Sequence, residues 1–194
     1  MAHHEITFPT DEATVREFRA GDTVTIQGHI IGIRDATQIR IFDKGVEPPM
    51  SLRGAALLHT APNVRKLGEG RYEPMCIGTT TSARMSRFTE GLVRDHGARA
   101  IIGKGGLLPE ALMPLREHGG VYLAIVGGAA ALETTQIEEI EEVAWEELMP
   151  ECLWKFRVKD FGPLTVGIDA HGNSLYHDVQ AAAQEKLKEL FARL

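Results

Sequence analysis

Hydroxyl, guanidinium and ammonium groups gather on glycine- or threonine-rich stretches of this chain: Thr79-Thr80-Thr81-Ser82-Ala83-Arg84, Gly103-Lys104-Gly105-Gly106 and, with glycines alone, Gly127-Gly128. Another cation, Arg34, stands directly before Asp35. An arginine fork and a lysine point charge bind carboxylates or phosphates. Glycine lets a ligand approach the backbone closely, and helix amino termini add unpaired N–H groups. Taken together, these groups describe an anion pocket. Each stretch alone has a plainer reading. Thr81 or Ser82 caps the next helix, Lys104 is a solvated lysine on a tight turn, Arg84 solvates an exposed face, Arg34 pairs with Asp35, and Gly127-Gly128 serves close packing. The Gly103–Gly106 run is not a phosphate loop, because no Lys-Ser/Thr pair follows at the required spacing.

The elements that must position these residues follow from hydrophobic period. Residues 23–27 alternate polar and apolar as a half-buried strand does, Gly28 interrupts them at a bulge, and residues 29–33 continue the strand. Residues 11–20 predict a short polar helix, residues 36–42 a helical segment, and residues 44–54, with Pro48-Pro49, a loop. From Ala55 the pattern becomes apolar strand, Gly- or Thr-rich loop, helix. The strands are 55–59, 100–102 and 121–126, with a surface excursion at 61–75. An amphipathic helix to about His96 follows the threonines, with Met85, Phe88 and Leu92 on one face. Pro109 stands at a first helical position, and residues 129–133 predict a short helix. Such units indicate an α/β fold with parallel strand pairs, and ligands of such sheets bind beyond the strands' carboxyl ends. Residues 137–147 are acidic and read as helical for part of their length. Residues 154–158 and 164–168 read as a strand pair around Asp160-Phe161-Gly162-Pro163, residues 169–173 as a turn, and residues 178–194 as a closing helix.

The chain has 194 residues, 43% hydrophobic and 25% charged, with a formal net charge of −6. That length suits one domain, here 1–194 with a core of about 12–178. The acidic balance argues against a nucleic-acid partner, yet a local cluster of Arg and Lys still serves an anionic small molecule. No apolar run reaches membrane-spanning length, and the amino terminus carries no signal-peptide pattern, so a cytoplasmic location is expected. Two cysteines, Cys76 and Cys152, are expected as reduced thiols, too few to hold an iron–sulfur cluster.

With their flanks, the three stretches resemble something specific. Gly78 to Met85, Ile102 to Gly106, and Ala124-Ile125-Val126-Gly127-Gly128-Ala129-Ala130-Ala131-Leu132 are similar to the β subunit of class I fumarate hydratase and L(+)-tartrate dehydratase. Arg34-Asp35 matches the start of that family's Arg-Asp-x-x-His element. Glu138 to Val143, Leu153-Trp154, Lys159 to Leu164 and Ile168 to Asn173 match as well, so the resemblance spans roughly residues 12–178. It implies a swivelling β/β/α domain with a C-terminal helix. It also implies an iron–sulfur hydro-lyase that removes water from a 2-hydroxy dicarboxylate, with the [4Fe–4S] cluster supplied by a partner α subunit in an α2β2 assembly and no metal held by this chain. The flank 135–173 is closer to the tartrate branch, with malate and fumarate as the alternative substrates. By the same resemblance Thr80 removes the proton from carbon, while Arg34, Arg84 and Lys104, with Gly105 and Gly106, bind substrate, Lys104 also favouring the threonine alkoxide. The chain departs from the family at Gln38, where histidine is usual, and at Ala61-Pro62, where Gly-Pro is usual. A glutamine carries no proton at neutral pH, so a catalytic role there is in doubt. His171 reads as a turn residue. Two rival readings stay open: a non-catalytic dicarboxylate-binding or scaffold domain, and an autonomous phosphate- or nucleotide-binding α/β protein.

Overall fold

The structure, a computed structural model, describes residues 1–128 and 130–192. Strand β1 (His3–Phe8) leads through the short helix α1 (Glu12–Val15) to the long strand β2 (Thr23–Ile33). Helix α2 (Asp35–Gln38), extended by a π-helical turn at Ile39–Asp43, precedes β3 (Ala56–His59) and a hairpin of β4 (Asn63–Gly68) and β5 (Arg71–Cys76). A 3-10 segment (Ala83–Phe88) and a π-helical turn (Gly91–Asp95) lead to β6 (Ala100–Gly103); α3 (Leu112–His118) leads to β7 (Val121–Ala124). Helix α4 (Ala130–Thr135), β8 (Ile137–Ala144), β9 (Leu153–Ile168) and α5 (Leu175–Phe191) complete the chain.

Strands β2, β3, β6 and β7 run parallel in that order. Strand β9 pairs antiparallel with both β7 and β2, so the hydrogen-bonded order closes on itself. The parallel strands are buried on both faces, as such strands are. Ala56, Leu58, Ala100, Ile102, Val121 and Leu123 join Trp154, Phe156 and Phe161 in a core between strand layers. The alternate residues Leu57, Ile101 and Tyr122 join Met85, Phe88, Leu92 and Leu115 in a second core beneath the helical segments. Each large apolar side chain buried in these cores contributes about 1.5–3 kcal/mol.

The mixed α/β character and the parallel strands agree with the sequence reading, as does the bulge at Gly28, where the β2–β9 register shifts between Ile26 and Gly28. Several elements differ. Strand β1 was not anticipated, and the excursion at 61–75 is an ordered hairpin. The helix expected after the threonines is a 3-10 segment followed by a π-helical turn, although Met85, Phe88 and Leu92 are buried on one side as their spacing predicts. Residues 137–144 form a strand instead of a helix. Their buried positions, Ile137 and Ile140, lie three apart, which imitates a helical period. Two register shifts in the pairing with β9 absorb the extra residues and keep both side chains on the core face. The acidic side chains of β8 meet Arg157 and Lys155 across the ladder. The expected strand pair at 154–168 is one strand. At its bend the side chains of Gln27 and Gln136 bond the backbone of Asp160 and Gly162, satisfying groups that the irregular ladder leaves free. Helix α5 begins at Leu175 rather than 178. Ala129, the expected first residue of the short helix that appears as α4, and Arg193 and Leu194 of the closing helix lie outside the described residues. No helix among the described residues is long and apolar enough to cross a membrane.

Candidate functional site

The parallel order β2-β3-β6-β7 sets four strand ends in a row. Arg34 follows β2, His59-Thr60 ends β3, Lys104 follows β6, and residues 125–128 follow β7. The threonine segment is laid across the middle of this row. Thr79 bridges to Thr60 and Thr81 to Lys104. The Thr80 amide donates to the His59 carbonyl at 2.8 Å, and the Ser82 amide to the Lys104 carbonyl at 3.0 Å. Thr80 is thus held between β3 and β6 by its own backbone, with its side chain half-buried.

Beneath the segment lies a buried polar cluster. Ser82 Oγ sits 2.9 Å from His59 Nδ1 and accepts a hydrogen bond from the Tyr122 hydroxyl at 3.2 Å. Ser82 therefore does not cap the following helical segment as expected; its hydroxyl is committed inward. Gly103 makes room for it, since a Cβ there would lie 1.9 Å from Ser82 Oγ. Burial drives His59 down to about 3, so its imidazole is neutral at any ordinary pH. Its Nε2 has no hydrogen-bond partner.

Arg84 reaches back from the 3-10 segment. Its Nε and Nη2 donate to the two carboxylate oxygens of Asp35 at 2.9 and 2.8 Å, Nη2 also donates to Thr80 Oγ1 at 3.2 Å, and Nη1 donates to the Thr81 carbonyl at 3.0 Å. Arg34 Nε lies 3.3 Å from Asp35 and 3.5 Å from Glu151. Glu151 also accepts from the Ala36 amide at 2.8 Å. Burial raises the Asp35 carboxyl, but the hydrogen bonds and charge of Arg84 outweigh it and hold the group below the usual carboxylate range. A connected line of groups results: Glu151, Arg34, Asp35, Arg84, Thr80.

Lys104 differs from the two arginines. Among the described residues its ammonium has no hydrogen-bond or ion-pair partner. The side chain lies along Gly127, where a Cβ would meet Lys104 Cδ at 2.7 Å and Nζ at 3.3 Å. Gly105 and Gly106 follow in the left-handed region, φ +77° and +76°, which turns the chain sharply after the lysine. On α4, Glu133 is 5% exposed and, among the described residues, neither carboxyl oxygen has a hydrogen-bond partner. Burial lifts it to about 7, opposed by the charge of Lys104. Next to it Thr134 Oγ1 accepts from the Ile77 amide at 2.8 Å, tying α4 to the entrance of the threonine segment.

The structure therefore brings Arg34, Thr80 and Arg84 into one bonded line and places Lys104, Gly105 and Gly106 beside them, on the same row of strand ends. Of the cations on this row, Arg34 and Arg84 are paired with Asp35 and Glu151, and the ammonium of Lys104 is left, among the described residues, to meet a small carboxylate. Gln38 closes α2 three residues after Asp35; it is buried, its amide nitrogen 3.0 Å from Met85 Sδ, and among the described residues its Oε1 has no hydrogen-bond partner. His171 sits in the turn expected of it, 2.8 Å from the Arg16 carbonyl. Asp35 entered the sequence reading only as a neighbour of Arg34, and Glu151, His59 and Glu133 carried no signal at all. The pairing of Ser82 with a histidine 23 residues away likewise has no local pattern. Both cysteines are free; Cys76 is exposed, and Cys152 is buried, with its thiol pushed up to about 11 by burial. No group of three or more His, Cys, Asp or Glu among the described residues is placed to hold a metal ion.

Comparison with known proteins adds the following. The family described as Fumarase C-terminus matches residues 3–179. The chain is 39% identical over 171 residues to the L(+)-tartrate dehydratase subunit beta of Escherichia coli K12, covering 88% of this chain and 85% of that one. It is 36% identical over 181 residues to a Methanocaldococcus jannaschii protein provisionally given the same name, covering 91% and 92% of the two chains. A Geobacillus stearothermophilus protein, provisionally named fumarate hydratase class I, is 39% identical over 182 residues, which is 93% of this chain but 35% of that longer one.

Proposed function

The chain belongs to the Fumarase C-terminus family, and from that premise we propose that it is the β subunit of an L(+)-tartrate dehydratase. It is a hydro-lyase subunit that works with an iron–sulfur α subunit, in an α2β2 complex of the cytoplasm, and its fold is the swivelling β/β/α domain. The observation that carries the reading is the placement of Thr80 between β3 and β6, with a guanidinium on its hydroxyl and the unpartnered Lys104 beside it.

The reaction removes a proton from one carbinol carbon of the substrate and hydroxide from its neighbour, leaving an enol that becomes oxaloacetate. Lys104, whose ammonium is paired with none of the described residues, anchors a substrate carboxylate, while Gly105 and Gly106 turn the chain after it, Gly106 packing against the Tyr176 ring. Arg34 adds charge from the end of β2. Thr80 takes the proton. An alcohol near the ~15.7 of water is a poor base until neighbouring positive charge favours its alkoxide, and the Arg84 donor on Thr80 Oγ1 supplies that charge. His59, neutral and turned to Ser82, holds the segment in place without exchanging a proton with it. The family's [4Fe–4S] cluster provides, when bound, a Lewis acid for the departing hydroxyl. The residues of this chain do not fit such a cluster: Cys76 is exposed, Cys152 is buried on another part of the fold, and two thiols are too few. We assign the cluster to the α subunit.

The test is a comparison of specificity constants for the α–β complex. Tartrate carries one hydroxyl more than malate, and a site that bonds it leaves a polar group unpaired with malate. Tartrate is expected to have the larger kcat/KM. A larger value for malate or fumarate makes the chain the β subunit of a class I fumarate hydratase instead.

A further inference from the structure

Glu133 lines a cavity of about 210 Å³ at the end of β7, walled by Ile125, Val126, Leu132, Pro163 and Leu164. Gln136 is the other polar side chain of the lining, and its amide is already spent on the Gly162 backbone, at 2.9 and 3.2 Å. The carboxyl of Glu133 is not spent. Its two oxygens are shielded from water and, among the described residues, bond to nothing. A buried carboxylate in that state is costly until a counter-charge reaches it. Lys104, whose charge acts on Glu133, lies along Gly127 and forms no ion pair with it. The cavity thus offers apolar walls and one uncommitted acid. A lysine or arginine has the matching form, an apolar stem with a cationic head. Val126 and Leu132 line the cavity and are themselves exposed, at 71% and 62%, and they flank the loop that follows β7 on the row of strand ends. We propose that this cavity is a docking socket for the α subunit, which inserts a lysine or arginine side chain between Val126 and Leu132 to pair with Glu133. This rests on the reading of the chain as a β subunit given above.

Such a pair acts in opposite directions on the lone chain and on the complex. In the lone chain burial lifts Glu133 to about 7, so above that pH an ionised, unpaired carboxylate works against the fold. In the complex the incoming cation favours the ionised form and lowers the value. Assembly below pH 7 therefore releases a proton, and the α–β affinity rises with pH until about 7 and levels off above it. Helix α4 packs against β5 and β8, whose ionisable groups are engaged elsewhere. On β5, Tyr72 bonds Glu146 and Glu73 bonds Arg65; on β8, Glu138 and Glu139 meet Arg157, and Glu141 meets His29 and Lys155. Arg71, Cys76 and Glu142 are exposed.

The test is an anaerobic titration of the cluster-bearing α subunit with fluorescently labelled wild-type, Glu133→Gln and Val126→Asp chains at pH 6 and pH 8. Glu133→Gln is expected to raise the α–β Kd roughly 10- to 100-fold at pH 8, as losing one partner of a buried charge pair does. At pH 6 the loss is about tenfold smaller, because the wild-type chain must there give up a proton to bind. The weaker binding appears although the isolated variant is the more stable chain at pH 8, which a merely structural role for Glu133 does not produce. Val126→Asp sets a second acid on the apolar rim and is expected to weaken binding at both pH values. An unchanged Kd for Glu133→Gln at pH 8, or for Val126→Asp, overturns the proposal. So does an equal loss for Glu133→Gln at pH 6 and pH 8, which assigns the effect to shape instead of charge. A wild-type chain that fails to bind the α subunit at either pH removes the β-subunit reading and this inference with it.

Discussion

Thr80 and Lys104 stand on the same row of strand ends, and single substitutions separate the different work proposed for each. A general base acts only on the proton in flight, so Thr80→Ala is expected to lower kcat of the α–β complex by about 10²–10⁴-fold with a small change in KM. An ammonium without a protein partner is available to the substrate before and during reaction. Lys104→Ala is therefore expected to raise KM and to lower kcat/KM by about 2–4 kcal/mol in transition-state terms. Steady-state kinetics with tartrate checks both. Full activity of Thr80→Ala removes the threonine from the chemistry, and an unchanged KM in Lys104→Ala removes the carboxylate anchor. Type and spacing picked out the stretches that hold Arg34, Thr80, Arg84 and Lys104, the resemblance chose among their residues, and Glu151, His59 and Glu133 came only from the structure. Which cation touches the threonine was not legible in the sequence: the resemblance pointed to Lys104, and the hydrogen bond to Thr80 Oγ1 comes from Arg84, whose fork also holds Asp35.

Helix α4 follows the third glycine stretch and buries a carboxyl with no partner, Glu133, beside that stretch. A carboxylic acid raised from 4.5 to about 7 by burial holds its proton in the folded protein and loses it on unfolding. Its burial therefore costs nothing below pH 4.5, costs progressively more between 4.5 and 7, and reaches its full value, about 3 kcal/mol at most, above pH 7. Glu133→Gln removes the ionisation and is expected to raise the unfolding free energy by about 2–3 kcal/mol at pH 8 and by little at pH 4.5. Urea melts at the two pH values check this; a variant less stable at pH 8 shows that the ionised carboxylate has found Lys104. At this same scale the limits of sequence reading are clearest. The strands β3, β6 and β7 were legible because short apolar runs bounded by glycine admit little else. Strand β8 was not, since its apolar spacing of three fits a helix equally well and only the partner strand supplies the bulges that reconcile it.

Across the whole molecule, a chain of net charge −6 has two separated cysteines, one exposed and one buried. In the proposed reading the site is completed by a second subunit. Anaerobic co-purification with the α subunit is expected to yield a complex containing iron and active on tartrate, while this chain alone carries neither iron nor activity. Iron bound stoichiometrically to the isolated chain contradicts the assignment.

By itself the sequence determined the α/β class, the three loop tips proposed to carry the chemistry, and the family. Each of these is written in patterns a few residues long: a strand's apolar run, a glycine where the chain turns, a hydroxyl and a cation four positions apart. Only the tertiary structure decided the closing of the strand order through β9, the inward commitment of Ser82 to His59, and the line from Glu151 through Arg34, Asp35 and Arg84 to Thr80. Those depend on groups brought together across 23 to 142 residues, and a contact that folding makes over such distances leaves no trace in local spacing.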